Sequence, residues 1–244
     1  VEGQSLQRRI EEYGPLSVIE SIRIAAQVAD GLAAAHTQGL VHRDIKPENI
    51  LLEHEVERVQ ITDFGLARAI DDASMTRSGV IAGTPQYMSP EQAHGDSIDH
   101  RSDLFSLGSV MYFMLAGRSP FRAETTMGIL NRIGNDSPRG LRSINVDVPV
   151  WLEAIVMKLL EKNREDRFQS AEDVSGLLNQ WLAHLQTPDS APLPSQPMPS
   201  AGQPETVIIT NTARSGNHKR WLIAGCVSVI LLTTLILLNS GKVT

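Results

Sequence analysis

The chain has 244 residues, enough for one large domain or two small ones, and its 41% hydrophobic content allows a proper core. The formal net charge of −6 argues against nucleic acid as the main partner, because a phosphate-binding surface needs an excess of Lys and Arg. Cys226 is the only cysteine, which excludes a disulfide within the chain and fits a reducing compartment for the folded part.

Residues 1–185 have the composition of a globular domain. Ser17 and Glu20 form a capping-box signature, and a helical stripe of apolar residues follows, with Gly39 as its stop. Short apolar runs predict strands at 39–41, 50–52 and 59–61. Helical patterns follow at 103–116, 150–161 and 171–184, the last capped by Ser170 and Asp173. The predicted fold class is therefore α+β, mainly α.

Residues 186–220 form a predicted linker. Its first part is rich in Pro and Ser and has few large apolar side chains, so it cannot bury enough surface to order itself. We expect a disordered juxtamembrane segment.

Residues 221–238 carry no charge. At about 1.5 Å per residue a helix of this length spans roughly 27 Å, close to the hydrocarbon thickness of a bilayer. A buried core helix is the alternative, but a core helix rarely lacks a polar face. Four basic residues precede the segment and only Lys242 follows it, which predicts a cytoplasmic globular part and a short extracytoplasmic tail at 239–244; the four are Arg214, His218, Lys219 and Arg220.

The stretch HRDIKPEN, residues 42–49, holds the side chains that phosphoryl transfer requires. Such a reaction needs a carboxylate to orient the attacking hydroxyl, cations to hold the phosphates, and oxygen ligands for magnesium. Asp44 supplies the carboxylate, Lys46 the positive charge and Asn49 a hard oxygen ligand. The apolar residues on either side indicate a loop anchored to the core.

The stretch ITDFG follows, with Asp63 as a second hard oxygen ligand. On its own, Asp-Phe-Gly indicates an ordinary turn. Its position shortly after HRDIKPEN favours a magnesium site made by Asn49 and Asp63.

These motifs together resemble the larger, C-terminal lobe of a eukaryotic-type (Hanks-type) Ser/Thr protein kinase, in particular the bacterial membrane-anchored receptor kinases. The resemblance runs from Val1 to about residue 182. Besides the two motifs above it rests on GTPQYMSPEQ (83–92), RSDLFSLG (101–108) and NREDRFQSAEDV (163–174).

The resemblance implies a role for each matching residue. Asp44 is the implied catalytic base, Lys46 contacts the transferred phosphate, and Asn49 and Asp63 bind Mg²⁺, with Mn²⁺ as an alternative. ATP is the implied cofactor, contacted also by Leu51 below the adenine and by the backbone of Val1 in the hinge.

Other implied roles are structural or regulatory. Thr84 hydrogen-bonds near the catalytic loop, Glu91 and Arg167 form a buried ion pair, and Asp103 accepts hydrogen bonds from the backbone of that loop. Arg43 needs an anion, which a phosphate on the following segment would supply; its candidates are Ser74, Ser78 and, first, Thr76.

The kinase pattern also has an N-terminal lobe with a Gly-rich loop and a strand Lys, for which this chain has no room. We therefore expect a fragment, weak or inactive when taken alone, because positioning of ATP supplies most of the catalysis.

The implied partners are ATP, protein substrates with Ser or Thr, and the bilayer, and a homodimer is allowed. The alternative function is a pseudokinase-like, membrane-tethered scaffold. A small-molecule kinase is disfavoured by GTPQYMSPEQ.

Overall fold

The computed structural model describes residues 3–53, 58–63, 85–188 and 191–194. All of these residues belong to one compact unit, Val1–Pro199. Several predictions concern residues outside the described ranges and stay predictions: Val1, Ser74, Thr76, Ser78, Thr84, most of the linker, the segment 221–238 and the tail 239–244.

Helices dominate the described part of the chain, as the sequence predicts. They are α1 (Leu6–Tyr13), α2 (Val18–Thr37), α3 (Pro90–His94), α4 (His100–Ala116), α5 (Thr126–Asn135), α6 (Val150–Leu159) and α7 (Ala171–Gln186). Short 3-10 turns occur at Pro47–Asn49, Pro85–Tyr87, Leu141–Ser143 and Arg164–Asp166. Within the described ranges, no helix combines the length and the apolar character needed to cross a membrane.

Helix α2 begins at the predicted capping box. The Ser17 hydroxyl accepts a hydrogen bond from the backbone N–H of Glu20, and the Glu20 carboxylate accepts one from the backbone N–H of Ser17 at 2.9 Å. The predicted apolar stripe is buried, and it packs against α7 and α4. After Thr37 the chain turns at Gly39, whose φ of 72° is easily reached only by glycine.

Helix α4 forms the centre of the core. Every residue from 102 to 115 is buried, because α2 and α6 cover it together with the turn at Pro85–Tyr87. Gly108 allows the closest approach: a Cβ atom at this position would lie 2.7 Å from the Cβ of Leu159 in α6. The burial of α4 also fixes the place of its polar residue Asp103, which is 0% exposed.

A small antiparallel sheet lies beside the helices, in the order β1 (Gln4–Ser5), β2 (Ile50–Glu53), β3 (Arg58–Ile61). The predicted strands at 50–52 and 59–61 are confirmed, with Ile50 opposite Ile61. The predicted strand at 39–41 is wrong. That segment carries no ladder, because Gly39 is part of the turn after α2 and the next amides, those of His42 and Arg43, donate to the Asp103 carboxylate instead.

Candidate active site

In the candidate catalytic loop, residues 42–49, buried side chains alternate with partly exposed ones. Ile45 and Pro47 are buried, and they anchor the loop to the core. The side chains of Asp44 and Lys46 lie between these anchors and remain 47% and 24% exposed. This alternation explains why the loop holds charged groups next to apolar ones, and it leaves the Asp44 carboxylate open to a substrate.

Three of the predicted site residues meet at the Asp44 carboxylate. The Lys46 ammonium lies 2.6 Å from Asp44 Oδ2, and the Asn49 amide Nδ2 donates to the same oxygen at 3.0 Å. Asn49 Nδ2 also donates to the Asp44 backbone carbonyl at 2.9 Å. Because both donors bind one side of the carboxylate, its orientation is set within the loop itself.

Asp63 is joined to this group through the β2–β3 hairpin. The pairing of Ile50 with Ile61 continues one step beyond the strands, where the Thr62 N–H donates to the Asn49 carbonyl at 2.9 Å. His42 Nε2 lies 2.9 Å from the Thr62 carbonyl, so Thr62, the residue before Asp63, has a partner at both its N–H and its C=O. Asp63 itself is exposed and has a φ of 64°, a left-handed conformation that is uncommon outside glycine.

The residues present fit a magnesium ion that is shared with a phosphate. Asn49 donates to Asp44 through its Nδ2 atom, so its Oδ1 atom is the one that can bind a cation. Asp63 offers an exposed carboxylate. The described residues contain no group of three or more His, Cys, Asp or Glu that could hold a metal ion. Magnesium does not need such a group, because it is usually bound by one or two protein oxygens, waters and substrate phosphates.

Asp103 holds the beginning of the loop. Its Oδ1 accepts from the Arg43 N–H at 2.8 Å, and its Oδ2 accepts from the His42 N–H at 2.8 Å. His36 Nε2 lies 2.9 Å from the same Oδ2. A fully buried carboxylate is stable only with such partners, and here two of them are the amides that precede Asp44.

Glu91 and Arg167 form the implied ion pair, with two hydrogen bonds of 2.8 Å. The Ser102 hydroxyl adds a third bond to Glu91 Oε1 at 2.5 Å. Burial favours the neutral form of Glu91, but the hydrogen bonds from Arg167 and Ser102 outweigh it and lower the pKa of this carboxyl to about 2. The pair ties α3 to the turn before α7.

Leu51 lies in β2 and is half-buried, whereas its neighbours Ile50 and Leu52 are buried. Alternation along a strand directs Leu51 to the face opposite to the core. That orientation is compatible with the implied contact below an adenine ring.

Comparison with known proteins gives the same family as the sequence motifs. The model for the family "Protein kinase domain" matches residues 1–181. The chain belongs to the protein kinase family. The serine/threonine-protein kinase PknB of Mycobacterium leprae is 37% identical to this kinase domain over 193 residues, which are 79% of this chain and 30% of the relative.

Two further relatives of the kinase domain carry similar names. The serine/threonine-protein kinase pkn3 of Myxococcus xanthus is 36% identical over 201 residues, 79% of this chain and 37% of the relative. PknB of Mycobacterium tuberculosis is 37% identical over 176 residues, 71% of this chain and 28% of the relative. The chain thus spans about a third of the length of these curated relatives.

The structure of the kinase domain adds residues that sequence reasoning missed. His36 supports Asp103, Ser102 supports Glu91, and the Gln92 side chain donates to the Arg43 carbonyl at 2.7 Å. Only Gln92 has a sequence signal, because Ser89 and Gln92 have the spacing of a capping box. The contacts of His36 and Ser102 join residues distant in sequence, and no local pattern reports them.

Proposed function

We propose that the protein phosphorylates Ser and Thr residues of protein substrates with ATP and Mg²⁺, as a kinase anchored to the cell membrane. The observation that carries the proposal is the Asp44 carboxylate, half-exposed and oriented by Lys46 at 2.6 Å and Asn49 at 3.0 Å. Phosphoryl transfer asks for this combination of an accessible carboxylate and a nearby cation.

In this mechanism the substrate hydroxyl donates a hydrogen bond to the Asp44 carboxylate, which orients the oxygen toward the γ-phosphorus of ATP. The carboxylate accepts the proton as the new O–P bond forms, while the bond from the γ-phosphorus to the departing ADP oxygen breaks. Lys46 lies beside the same carboxylate and stabilises negative charge on the transferred group. Asn49 and Asp63 would hold Mg²⁺, which neutralises the phosphates of ATP when bound.

The proposed substrate class is Ser and Thr in proteins. It rests on Lys46 at the second position after Asp44, a pattern of Ser/Thr kinases, and on the names of the relatives, which are serine/threonine-protein kinases. Turn Pro85–Tyr87 and helix α3 belong to the segment that would receive the polypeptide substrate.

The proposed membrane anchor is the uncharged segment 221–238, preceded by basic residues at 214 and 218–220. By the positive-inside rule, this arrangement supports a kinase domain on the cytoplasmic side. The anchor would keep the kinase near the membrane through the linker that follows α7.

Phosphate transfer from radiolabelled ATP tests the proposal. The protein is purified from its own cells with any further segments that it has there, and phosphoamino acids are identified after transfer to casein and to the protein itself. Asp44→Asn removes the proton acceptor with little change of shape, and we expect a rate about 10²- to 10⁴-fold lower. The exposed Asp147→Asn is the control and should keep the wild-type rate.

Binding of a fluorescent ATP analogue with Mg²⁺ completes the test. Retained binding with a slow rate in Asp44→Asn supports the role of the carboxylate. Equal rates for wild type and Asp44→Asn reject it. If neither protein transfers phosphate, the pseudokinase-like scaffold is the better assignment.

A further inference from the structure

Two helices of the kinase domain begin with the same capping box but use different residues in it. At α2 the pair is Ser17 and Glu20, and at α3 it is Ser89 and Gln92. In each box the serine hydroxyl accepts from the backbone N–H three residues later, and the long side chain accepts from the backbone N–H of the serine at 2.9 Å. Both Glu and Gln satisfy this motif, so capping alone does not explain the choice.

The surroundings of the two side chains differ in a way that does explain it. Glu20 has a side chain 34% exposed, and its second oxygen lies 3.8 Å from the guanidinium of Arg9. Gln92 is 7% exposed, and its second terminal atom faces the carbonyl oxygen of Arg43 at 2.7 Å. A carboxylate suits the first place, whereas the second requires a donor.

The orientation of the Gln92 amide follows from its partners. The Ser89 N–H can only donate, so the atom facing it must be Oε1, and the atom facing the Arg43 carbonyl must be Nε2. A glutamate at this position would keep the cap but would bring an acceptor against an acceptor at a nearly buried site.

The peptide groups around Arg43 are thereby held from two helices. Arg43 N–H donates to Asp103 of α4 at 2.8 Å, and Arg43 C=O accepts from Gln92 of α3 at 2.7 Å. Arg43 has a φ of 67°, a conformation that a non-glycine residue keeps only where its surroundings hold it. The residue that follows directly is Asp44.

We infer that Gln92 is a positioning residue for Asp44: through the Arg43 carbonyl it couples helix α3 to the orientation of the catalytic loop. The inference rests on the proposed function for its consequence, since Asp44 is the proton acceptor there. Gln92 acts through Arg43 and does not touch the reacting atoms. It links the segment that would dock the substrate, through the Arg43 peptide, to the carboxylate of Asp44.

Reciprocal isosteric variants test the inference. Gln92→Glu keeps the cap and the volume but loses the donor to Arg43, and Glu20→Gln makes the opposite exchange in the matched box of α2. We expect Gln92→Glu to lower kcat by about ten- to a hundredfold, with KM for ATP within about twofold of wild type. Glu20→Gln should leave kcat and KM unchanged. A kcat for Gln92→Glu within about twofold of wild type would overturn the inference.

Hydrogen exchange provides a readout that does not depend on activity. The amides of His42, Arg43 and Asp44 are all hydrogen-bonded, and we expect them to exchange at least about tenfold faster in Gln92→Glu, with no change in Glu20→Gln. Unchanged exchange at residues 42–44 would contradict the coupling even if kcat falls. If wild-type protein transfers no phosphate, the proposed function fails while the exchange data still decide whether Gln92 holds the loop.

Discussion

Arg167 and Glu91 form a bidentate ion pair in which Arg167 uses every donor that it has. Two N–H groups bind the Glu91 oxygens at 2.8 Å, and the other three bind the backbone carbonyls of Glu161, Arg101 and Lys162 at 2.8, 3.1 and 2.9 Å. The arginine side chain is 0% exposed. A buried charge that loses its partner is costly, so removing either residue of the pair should strongly destabilise the folded protein.

Replacing Glu91 should therefore destabilise the protein in a pH-dependent way. We expect Glu91→Gln to lower the free energy of unfolding by about 3–5 kcal/mol at pH 7, because Arg167 is left as an uncompensated charge. The pKa of Glu91 lies below the ordinary value of 4.5, at about 2, so its contribution is present above pH 4.5 and is lost as the pH falls toward 2.

Urea unfolding of both proteins between pH 7 and pH 2 measures this effect. The difference between wild type and Glu91→Gln should shrink below pH 4.5 by an amount on the order of 3 kcal/mol. Glu124→Gln, at an exposed position, is the control and should show no such trend. A difference that stays constant with pH contradicts the assignment.

Asp103 supports the catalytic loop, and Asp103→Asn should weaken it. An amide has one acceptor where the carboxylate has two, so one of the bonds from His42, Arg43 and His36 is replaced by a contact between donors. We expect a loss of about 1.5–3 kcal/mol in unfolding free energy and faster amide exchange at residues 42 and 43.

Ser109→Ala is the matched control on the same helix. The Ser109 hydroxyl is buried, and the described residues offer it no hydrogen-bond partner. Its removal should be neutral or slightly stabilising. Equal effects of the two substitutions would show that Asp103 holds the loop no more than any buried polar residue of α4.

Alanine substitutions at two helical glycines should change the stability of the protein in opposite directions. A Cβ at Gly108 would lie 2.7 Å from Leu159 Cβ, so Gly108→Ala should destabilise by about 1–3 kcal/mol through overpacking. A Cβ at Gly176 would meet nothing within 4 Å, so Gly176→Ala should stabilise α7 by about 0.4–1 kcal/mol. Thermal unfolding checks both, and a stabilised Gly108→Ala would disprove the close packing of α4 on α6.

The proposed anchor predicts fractionation with membranes that resists alkaline carbonate. Val229→Arg places a charge at the centre of the segment 221–238, at a cost of about 2.5–3.5 kcal/mol for insertion, and should shift protein to the soluble fraction. Gln203→Arg, in the preceding linker, should leave fractionation unchanged. Wild-type protein that is fully extracted by carbonate would remove the anchor from the proposal.

Local sequence patterns were sufficient for the elements whose information is local. The capping box at Ser17 and the apolar stripe after it predicted α2, because the hydrogen bonds and the buried face of a helix recur within a few residues. The same reasoning did not find α1, α3 or α5. In α3 the five residues after Ser89 are too few to show a period, although their cap was readable.

β1 and the segment 39–41 show the opposite case, because local sequence patterns did not predict them correctly. β1 has two residues and is a strand only because Leu51 and Leu52 lie opposite Ser5 and Gln4. The segment 39–41 has strand-like composition and forms none, because its continuation is bound by Asp103, some sixty residues later in the chain. Pairing partners, rather than propensity, decide short strands.

The amino-acid sequence by itself determined which chemical groups the candidate site holds: a carboxylate, a cation and two oxygen-bearing side chains within residues 44–63, in the order typical of the family. The grouping of Asp44, Lys46 and Asn49 could be read from the sequence because one short loop carries all three. The resemblance implied the support from Asp103, and only the tertiary structure decided that His36 and Gln92 also hold that loop. These contacts join residues about fifty to seventy positions apart, and packing of α2, α3 and α4 brings them together, which no local pattern encodes.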